Sequence, residues 1–132
     1  MSTTPLALLP GRPCPIAAAL EVVGERWALL VVREIALGAT RFGEIVEGTG
    51  APRDRIAARL KRLEDADVVG RVPYQDSPTR YEYRLTESGV ALLPVLDALL
   101  TWGKHHAVAA DDPDRRRTYR PLSRSLAERG AR

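Results

Sequence analysis

Residues 41–64, RFGEIVEGTGAPRDRIAARLKRLE, decide the fold that we predict for this chain. Each half of the stretch carries apolar residues at helical spacing: Phe42, Ile45 and Val46 in the first half, and Ile56, Leu60 and Leu63 in the second. A glycine-rich turn separates the halves, and Pro52 opens the second at a position where a proline loses no hydrogen bond. Two amphipathic helices joined by a tight turn predict a helix-turn-helix.

The second helix of this pair is strongly basic. Between Arg53 and Arg62 lie five basic residues and one acid, so these ten residues carry +4 in a chain whose total is +3. On a helical wheel Arg59 lies on the flank, and the side opposite the apolar stripe holds Asp54, Arg55, Ala58, Lys61 and Arg62. Such a helix fits a DNA groove, where arginines meet phosphates and guanine edges. The alternative is a solvated basic face without a ligand.

A β-hairpin is predicted directly after the basic helix. Apolar and polar residues alternate in residues 70–75 and again in residues 80–85, and the residues between them, Asp-Ser-Pro-Thr, favour a turn. A hairpin in this position is the wing of a winged helix, whose residues Gln75, Ser77, Thr79 and Arg80 would reach the minor groove or the phosphates. The alternative is an exposed hairpin tip without a function. Tyr81 and Tyr83 share a face with Leu85, so we expect both in the core.

The helices around this unit are marked by their end signals. Pro15 opens a helix that Gly24 ends, and a second helix from Arg26 is stopped by Gly38. Thr40 is expected to cap the next helix. Asp67 stands where many helices place a left-handed glycine.

The last long helix is expected to begin at Thr86 and to be kinked by Pro94. Its apolar residues spread over more than one face, so the helix has more to bury than one small domain requires. We therefore expect a homodimer whose interface includes Leu92, Leu96, Leu99, Leu100 and Trp102. The chain divides into an N-terminal arm (residues 1–12), a DNA-binding and dimerisation domain (13–108) and a charged C-terminal tail (109–132).

Composition narrows the classes of protein that fit this sequence. Residues 1–50 carry a net −1 (four basic, five acidic) and residues 51–132 a net +4 (sixteen basic, twelve acidic), which makes an anionic partner plausible. No apolar run approaches the ~20 residues that span a bilayer and no signal-peptide pattern opens the chain, so we expect a cytoplasmic protein that does not bind membranes. The single cysteine excludes an intrachain disulfide.

Enzyme motifs are not found in the sequence. It contains no catalytic serine–histidine–aspartate order and no phosphate-binding glycine loop, so we expect neither enzymatic activity nor a cofactor. His105 and His106, followed by Asp111 and Asp112, are the only candidate metal ligands, and their spacing fits a fraying helix end better than a metal site. A small metalloenzyme built on these histidines is the least favoured interpretation, and we expect no metal.

The ordered set of motifs resembles the HxlR-type winged helix-turn-helix transcriptional regulators, which are relatives of MarR. The matching residues lie in order over about residues 13–104: Cys14-Pro15-Ile16, Gly24-Glu25-Arg26-Trp27, Arg41-Phe42, Glu44-Ile45, Arg59-Leu60, Leu63-Glu64, Pro78, Tyr81-Glu82-Tyr83-Arg84-Leu85-Thr86, Gly89 and Trp102-Gly103. The resemblance implies small homodimers that bind near promoters and usually repress. It also implies that a cysteine near the N-terminus senses oxidants or electrophiles in some members, and MarR relatives often bind a small-molecule effector.

Three features depart from the family pattern. Asp67 replaces the usual glycine after the recognition helix, and Ala51 occupies the expected N-cap, where a serine is common. The arginine-rich tail after Asp114 has no counterpart in the family.

Cys14 is the one residue with reactive potential. It lies at the start of a predicted helix with Arg12 nearby, and both influences favour a thiolate. The alternative is a small buried hydrophobic residue.

These observations predict an α+β, mostly α fold, a winged helix-turn-helix with a two-stranded wing and a long C-terminal dimerisation helix. The predicted function is a sequence-specific DNA-binding transcriptional regulator, a repressor of a pseudo-palindromic double-stranded operator. Expected DNA contacts come from Arg41, Arg53, Asp54, Arg55, Arg59, Arg62, Gln75, Thr79 and Arg80. The competing interpretation is a winged-helix protein-interaction module that does not bind DNA.

Overall fold

The computed structural model describes residues 4–117, 120–124 and 126. A single 3-10 turn, Leu6–Leu8, precedes the first helix. The elements in order are α1 (Pro15–Val23), α2 (Ala28–Leu37), α3 (Phe42–Thr49), α4 (Arg53–Asp65), β1 (Val69–Asp76), β2 (Thr79–Leu85), α5 (Glu87–Ala91), α6 (Leu93–His106) and α7 (Pro113–Arg116). This order confirms the predicted mostly helical winged helix-turn-helix with a two-stranded wing and a long, bent C-terminal helix.

The hydrophobic core is centred on α2, which packs against α3, α4, β2 and α6. Val31, Val32 and Ala36 of α2 are fully buried, as are Ile45 of α3 and Ile56 of α4. The predicted apolar stripe of α4 is confirmed, because Leu60 and Leu63 are buried as well. The helix-turn-helix is therefore held by its apolar faces, which leaves the basic face of α4 outside.

Most helix ends lie where the sequence predicts them. Cys14 is the N-cap of α1, and the amide of Gly24 ends that helix by donating to the carbonyl of Leu20. Gly38 ends α2 in the left-handed conformation with φ 109°. Asp67 also has a positive φ, 60°, as its place after α4 predicts. The start of α2 differs, because Trp27 is its N-cap and the helix begins two residues after Arg26.

The predicted caps of α3 and α4 are each wrong by one residue. The N-cap of α3 is Arg41, whose amide donates to the Glu44 carboxylate at 3.0 Å. Thr40 is instead paired with the wing, because its carbonyl accepts the amide of Tyr83 at 2.7 Å. The N-cap of α4 is Pro52, and Ala51 is buried in the turn, where a larger polar residue would lose hydration.

The wing is an antiparallel hairpin whose register runs from Val69 opposite Leu85 to Asp76 opposite Thr79. Its turn contains a cis Ser77–Pro78 peptide bond. The prediction that Tyr81 is a core residue is wrong. Tyr81 is 37% exposed, since it lies beyond the part of the hairpin that the helices cover.

Tyr83 is half-buried and packs against the core at the base of the wing. Burial raises the pKa of its phenol above 10.0, the positive charge of Arg71 acts in the opposite direction, and Glu64 adds to the increase. The neutral phenol is therefore the form that this packing favours.

The C-terminal helix is broken at Leu92 into α5 and α6, which confirms the predicted kink. Pro94 lies in the first turn of α6, where its missing amide costs nothing. The predicted cap is also confirmed, because the Thr86 hydroxyl accepts the amide of Gly89 at 3.2 Å. The same hydroxyl donates to the carbonyl of Asp67 at 2.6 Å, so one threonine joins the base of the wing to α5.

The two ends of the chain are described in part. Residues 1–3 of the predicted arm and residues 118, 119, 125 and 127–132 of the predicted tail lie outside the described residues. Leu122 is fully buried in the core. Among the residues that the structure describes, no helix is long and apolar enough to cross a membrane.

Candidate nucleic-acid interface

A cationic cleft lies between the wing and the starts of α3 and α4. Three arginines on three different elements share it: Arg41 before α3, Arg53 at the start of α4 and Arg80 in β2. The remaining residues of its wall are Phe42, Gly43, Tyr74, Thr79, Tyr81 and Tyr83. Arginine is suited to phosphate because its planar group donates several hydrogen bonds in a fixed geometry.

Aromatic rings hold two of these arginines in place. The guanidinium carbon of Arg41 lies 4.2 Å from the ring centre of Tyr74, and that of Arg53 lies 4.9 Å from the ring centre of Phe42. Such cation–π contacts orient a guanidinium group without neutralising its charge. Phe42 and Tyr74 are not among the predicted site residues, although each is adjacent in sequence to a predicted contact.

One carboxylate lies beside the cleft. Glu82 is 3.8 Å from Nε of Arg41 and 3.6 Å from Nη2 of Arg84. It reduces the positive potential at Arg41 and competes with an incoming anion. The alternation of charges in β2 is visible in the sequence, but its position beside Arg41 depends on how the wing packs against α3.

The helix starts add to the positive character of the cleft. Phe42 and Gly43 are the first two residues of α3, where backbone amides have no partner within the helix. A methyl group added at Gly43 would meet no atom within 4 Å, so the surface there is open to close approach. Two helix starts and three arginines therefore face one surface.

The exposed face of α4 continues from this cleft. The side predicted to face outward is exposed in the structure at Asp54, Arg55, Ala58, Lys61 and Arg62. Arg55 makes no ion pair or side-chain hydrogen bond within the part of the chain that the structure describes. Its guanidinium is thus available to a ligand.

Two of the predicted DNA-contacting arginines instead lie against α1 or the turn that follows it. Nε of Arg59 is 3.5 Å from the carboxylate of Glu25, which also accepts the amide of Trp27 at 2.8 Å. Nη2 of Arg62 donates to the carbonyl of Glu21 at 3.4 Å. The helical wheel could not show this difference, because it places residues around α4 but does not say which neighbouring helix each side meets.

The remaining predicted wing residues lie at the tip of the hairpin. The Gln75 amide donates to the carbonyl of Ser77 at 3.5 Å, and the Thr79 hydroxyl donates to the carbonyl of Asp76 at 3.1 Å. Of the nine predicted DNA residues, the structure brings Arg41, Arg53, Thr79 and Arg80 together in the cleft and leaves Asp54 and Arg55 on the adjoining face of α4.

The predicted dimer residues of α6 fall on two different sides. Leu96 is only 7% exposed and belongs to the protomer core, while Leu92 and Leu100 are half-buried. Leu99 (47% exposed) and Trp102 (60%) are uncovered. Val95, which was not predicted, shares their side of the helix at a spacing of four and seven residues and is also exposed.

A second uncovered apolar surface lies on α1. Ile16 is 72% exposed and Leu20 is 59% exposed, four residues apart on one side of the helix. We use the name apolar face for the exposed apolar residues of both helices, Ile16 and Leu20 of α1 with Val95, Leu99 and Trp102 of α6. Exposed apolar residues that recur on one side of a helix mark interaction sites on soluble proteins.

Cys14 lies half-buried at the N-cap of α1, beside a shallow depression lined by the chain segment before it and by Ala17, Ala18 and Glu21. The candidate metal ligands do not form a cluster. The rings of His105 and His106 are 6.4 Å apart, and the described residues contain no group of three or more histidine, cysteine, aspartate or glutamate side chains that could hold a metal ion.

A helix-turn-helix followed by a two-stranded wing places the chain in the winged-helix class of transcriptional regulators. The chain belongs to the HxlR-like helix-turn-helix family, whose sequence model matches residues 22–111. This confirms the family that the sequence motifs resemble.

Similar proteins include several regulators. The uncharacterized HTH-type transcriptional regulator Rv3095 of Mycobacterium tuberculosis is 41% identical over 98 residues, which cover 74% of this chain and 62% of that protein. The chain thus spans less than two thirds of the length of this relative. The HTH-type transcriptional regulator YodB of Bacillus subtilis is 32% identical over 100 residues, which cover 74% of this chain and 89% of YodB.

Solved structures give the same class. The crystal structure of the candidate transcription factor PA1607 aligns with a TM-score of 0.69 and 41% identity, covering 75% of this chain and 69% of that chain. The reduced form of YodB aligns with a TM-score of 0.62 and 32% identity, covering 75% of this chain and 99% of that chain. YodB has also been solved after diamide treatment and with bound quinone.

Proposed function

We propose that the protein is a homodimeric, sequence-specific DNA-binding repressor. The observation that carries this proposal is the joining of the cationic cleft to the exposed face of α4. The N-terminal half of α4, with Arg53 and Arg55, would enter the major groove, and Arg80 of the wing would reach the backbone or the neighbouring minor groove. Arg41 would hold a phosphate between them.

The proposed domain organisation assigns both functions to residues 13–108, between the arm (1–12) and the tail (109–132). Two copies related by a two-fold axis would present two α4 helices to one side of the DNA, so the operator should be a pseudo-palindrome. Its half-sites would lie about one helical turn, ~10 bp, or a small multiple of that apart.

The two kinds of arginine on α4 supply a matched test of this arrangement. Arg55→Ala should weaken operator binding by about 1–3 kcal/mol and relax specificity at one base position if the side chain contacts a base. Arg59→Ala is the control on the same helix, because Arg59 is paired with Glu25. Its substitution should affect the stability of the fold more than the choice of sequence. Both variants are measured on the operator and on its single-base variants.

Equal losses on every sequence for Arg55→Ala would contradict its proposed role in base recognition. If the unmodified protein bound the genomic fragments and random DNA equally at moderate salt, the proposed function itself would be wrong. The protein-interaction module would then be the better account. The cleft favours DNA over that alternative, because three arginines and two helix starts directed at one site suit a phosphate backbone.

We further propose that the repressor responds to oxidants or electrophiles through Cys14. Two observations support this: Cys14 is half-buried at the start of α1 beside a depression, and Ile16, two residues further along the chain, belongs to the apolar face. An adduct at Cys14 would lie next to the proposed dimer interface. The relative YodB has been solved in reduced, diamide-treated and quinone-bound forms. A small-molecule effector of another kind has no residues that we can assign to it.

A further inference from the structure

The C-terminal segment beyond the family match returns to the core. The family model ends at residue 111, whereas Leu122 is fully buried in the same hydrophobic cluster as Leu93 and Leu96 of α6. Leu126 also packs against this cluster. A chain end that served only as a charged tail would gain nothing from placing a leucine there.

Asp97 of α6 attaches this segment through directed hydrogen bonds. Its carboxylate accepts the amide of Leu122 at 2.6 Å, the amide of Ser123 at 3.4 Å and the hydroxyl of Ser123 at 2.6 Å. Residues 122–124 and 126 are helical, so the carboxylate caps the start of a helical turn, where a negative charge is favourable. The burial of the Leu122 side chain and the hydrogen bonds of Asp97 therefore hold the same part of the segment in place.

The other end of the segment reaches the base of the wing. Leu126 lines a groove together with Ile35 of α2, Val90 of α5, and Tyr83 and Leu85 of β2. The amide of Tyr83 donates to the carbonyl of Thr40 at 2.7 Å, which is where the wing is tied to the helix-turn-helix. The segment thus reaches the groove beside the joint between the wing and the helix-turn-helix.

The position of Asp97 on α6 connects this joint to the apolar face. Leu93 and Asp97 are four residues apart and lie on one side of α6, roughly opposite Leu99 and Trp102. One side of α6 therefore holds the segment, and the other presents the surface that we assign to the partner subunit.

We propose that the described residues 120–124 and 126 form a C-terminal latch that couples α6 to the base of the wing. The latch keeps the wing in the position relative to the dimer axis that operator binding requires. The effect of the latch on DNA binding rests on the proposed function, whereas its mechanical coupling to the wing does not. The latch lies beyond residues 22–111, which match the family model, so it is not part of the matched region.

Amide hydrogen exchange of the full-length protein tests the coupling directly. Asp97→Ala removes the three hydrogen bonds while alanine preserves the helix, and Ser123→Ala removes one of them without touching α6. The control is Asp111→Asn, an exposed acid outside the latch. Exchange is followed at the amides of Leu122 and Tyr83, and affinity is measured on the operator.

Asp97→Ala should accelerate exchange at Leu122 by at least about tenfold and should also accelerate exchange at Tyr83. Operator affinity should fall by at least about fivefold, Ser123→Ala should have a smaller effect of the same kind, and the control should match the unmodified protein. Faster exchange at Leu122 with an unchanged Tyr83 amide would overturn the proposal, and so would unchanged exchange at Leu122. If the unmodified protein failed to bind any operator, the proposed function would be wrong, and the exchange at Tyr83 would still decide whether the latch is coupled to the wing.

Discussion

Single residues in the cationic cleft determine how well it would suit the phosphate contact that we propose. Arg41 is held over the ring of Tyr74 and lies 3.8 Å from the Glu82 carboxylate, so its side chain loses less conformational freedom on binding than a free arginine would. The carboxylate also lowers the positive potential of the cleft. The ring and the carboxylate thus act in opposite directions on the affinity for DNA.

Glu82→Gln should therefore increase affinity for DNA of any sequence by a few fold, because an exposed ion pair is worth up to about 1 kcal/mol and its loss frees Arg41. The salt dependence should become steeper. Fluorescence anisotropy on operator and random duplexes at several salt concentrations measures both, and Glu87→Gln, an exposed acid of α5, controls for the change in net charge. A loss of affinity would mean that Glu82 orients Arg41 more than it competes for it.

Cys14 supports a second prediction at the residue scale. Diamide or a quinone should change the operator affinity of the unmodified protein and should leave Cys14→Ser unresponsive, because the thiolate is the species that reacts. The sequence has no other cysteine, so a disulfide joins Cys14 to the same residue of the partner subunit or to a small thiol. Titration of both proteins with and without oxidant is the measurement. Identical responses would make Cys14 a structural residue.

Helices and strands were predictable from local signals, whereas their contacts were not. The spacing of Ile56, Leu60 and Leu63 and the glycine after α2 placed the elements to within about two residues, since these signals act within a single helix. The separation of Arg55 from Arg59 depends on where α1 packs, which no local pattern records. The same limit applies to α6, which is apolar on several sides. The sequence alone could not show that Leu96 is a core residue while Leu99 is exposed.

Gly89 of α5 offers a test at the scale of packed elements. A methyl group there would lie 2.3 Å from the carbonyl oxygen of Val68 and 3.2 Å from the side chain of Leu85, so backbone at the base of the wing would have to move. Gly89→Ala should lower the free energy of unfolding by about 1–3 kcal/mol, although alanine favours helices. Gly43→Ala, which meets no atom within 4 Å, is the control and should be neutral or stabilising by up to about 1 kcal/mol. Equal denaturation midpoints for the two variants would contradict this packing.

At the scale of the whole molecule, the proposed homodimer would cover the apolar face. Leu99→Asp places a charge in the middle of that face, on a residue that is 47% exposed and therefore dispensable for the protomer core. We expect it to give monomer or aggregate and to abolish operator binding, because one α4 helix makes only half of the contacts. Light scattering of the variant and of Lys104→Asp, a polar position on the other side of α6, separates the interface from a general effect of charge. A monomeric unmodified protein would contradict the account.

The proposed function requires that the cleft and α4 select a DNA sequence. The most direct measurement is the affinity of the unmodified protein for the DNA upstream of its own gene, compared with a shuffled duplex of the same composition at physiological salt. We expect the affinity for the upstream fragment to be about 10³-fold or more higher than for the shuffled duplex. A footprint should show a protected pseudo-palindrome. Equal affinity for the two duplexes, across fragments covering the gene and its neighbours, would contradict the claim.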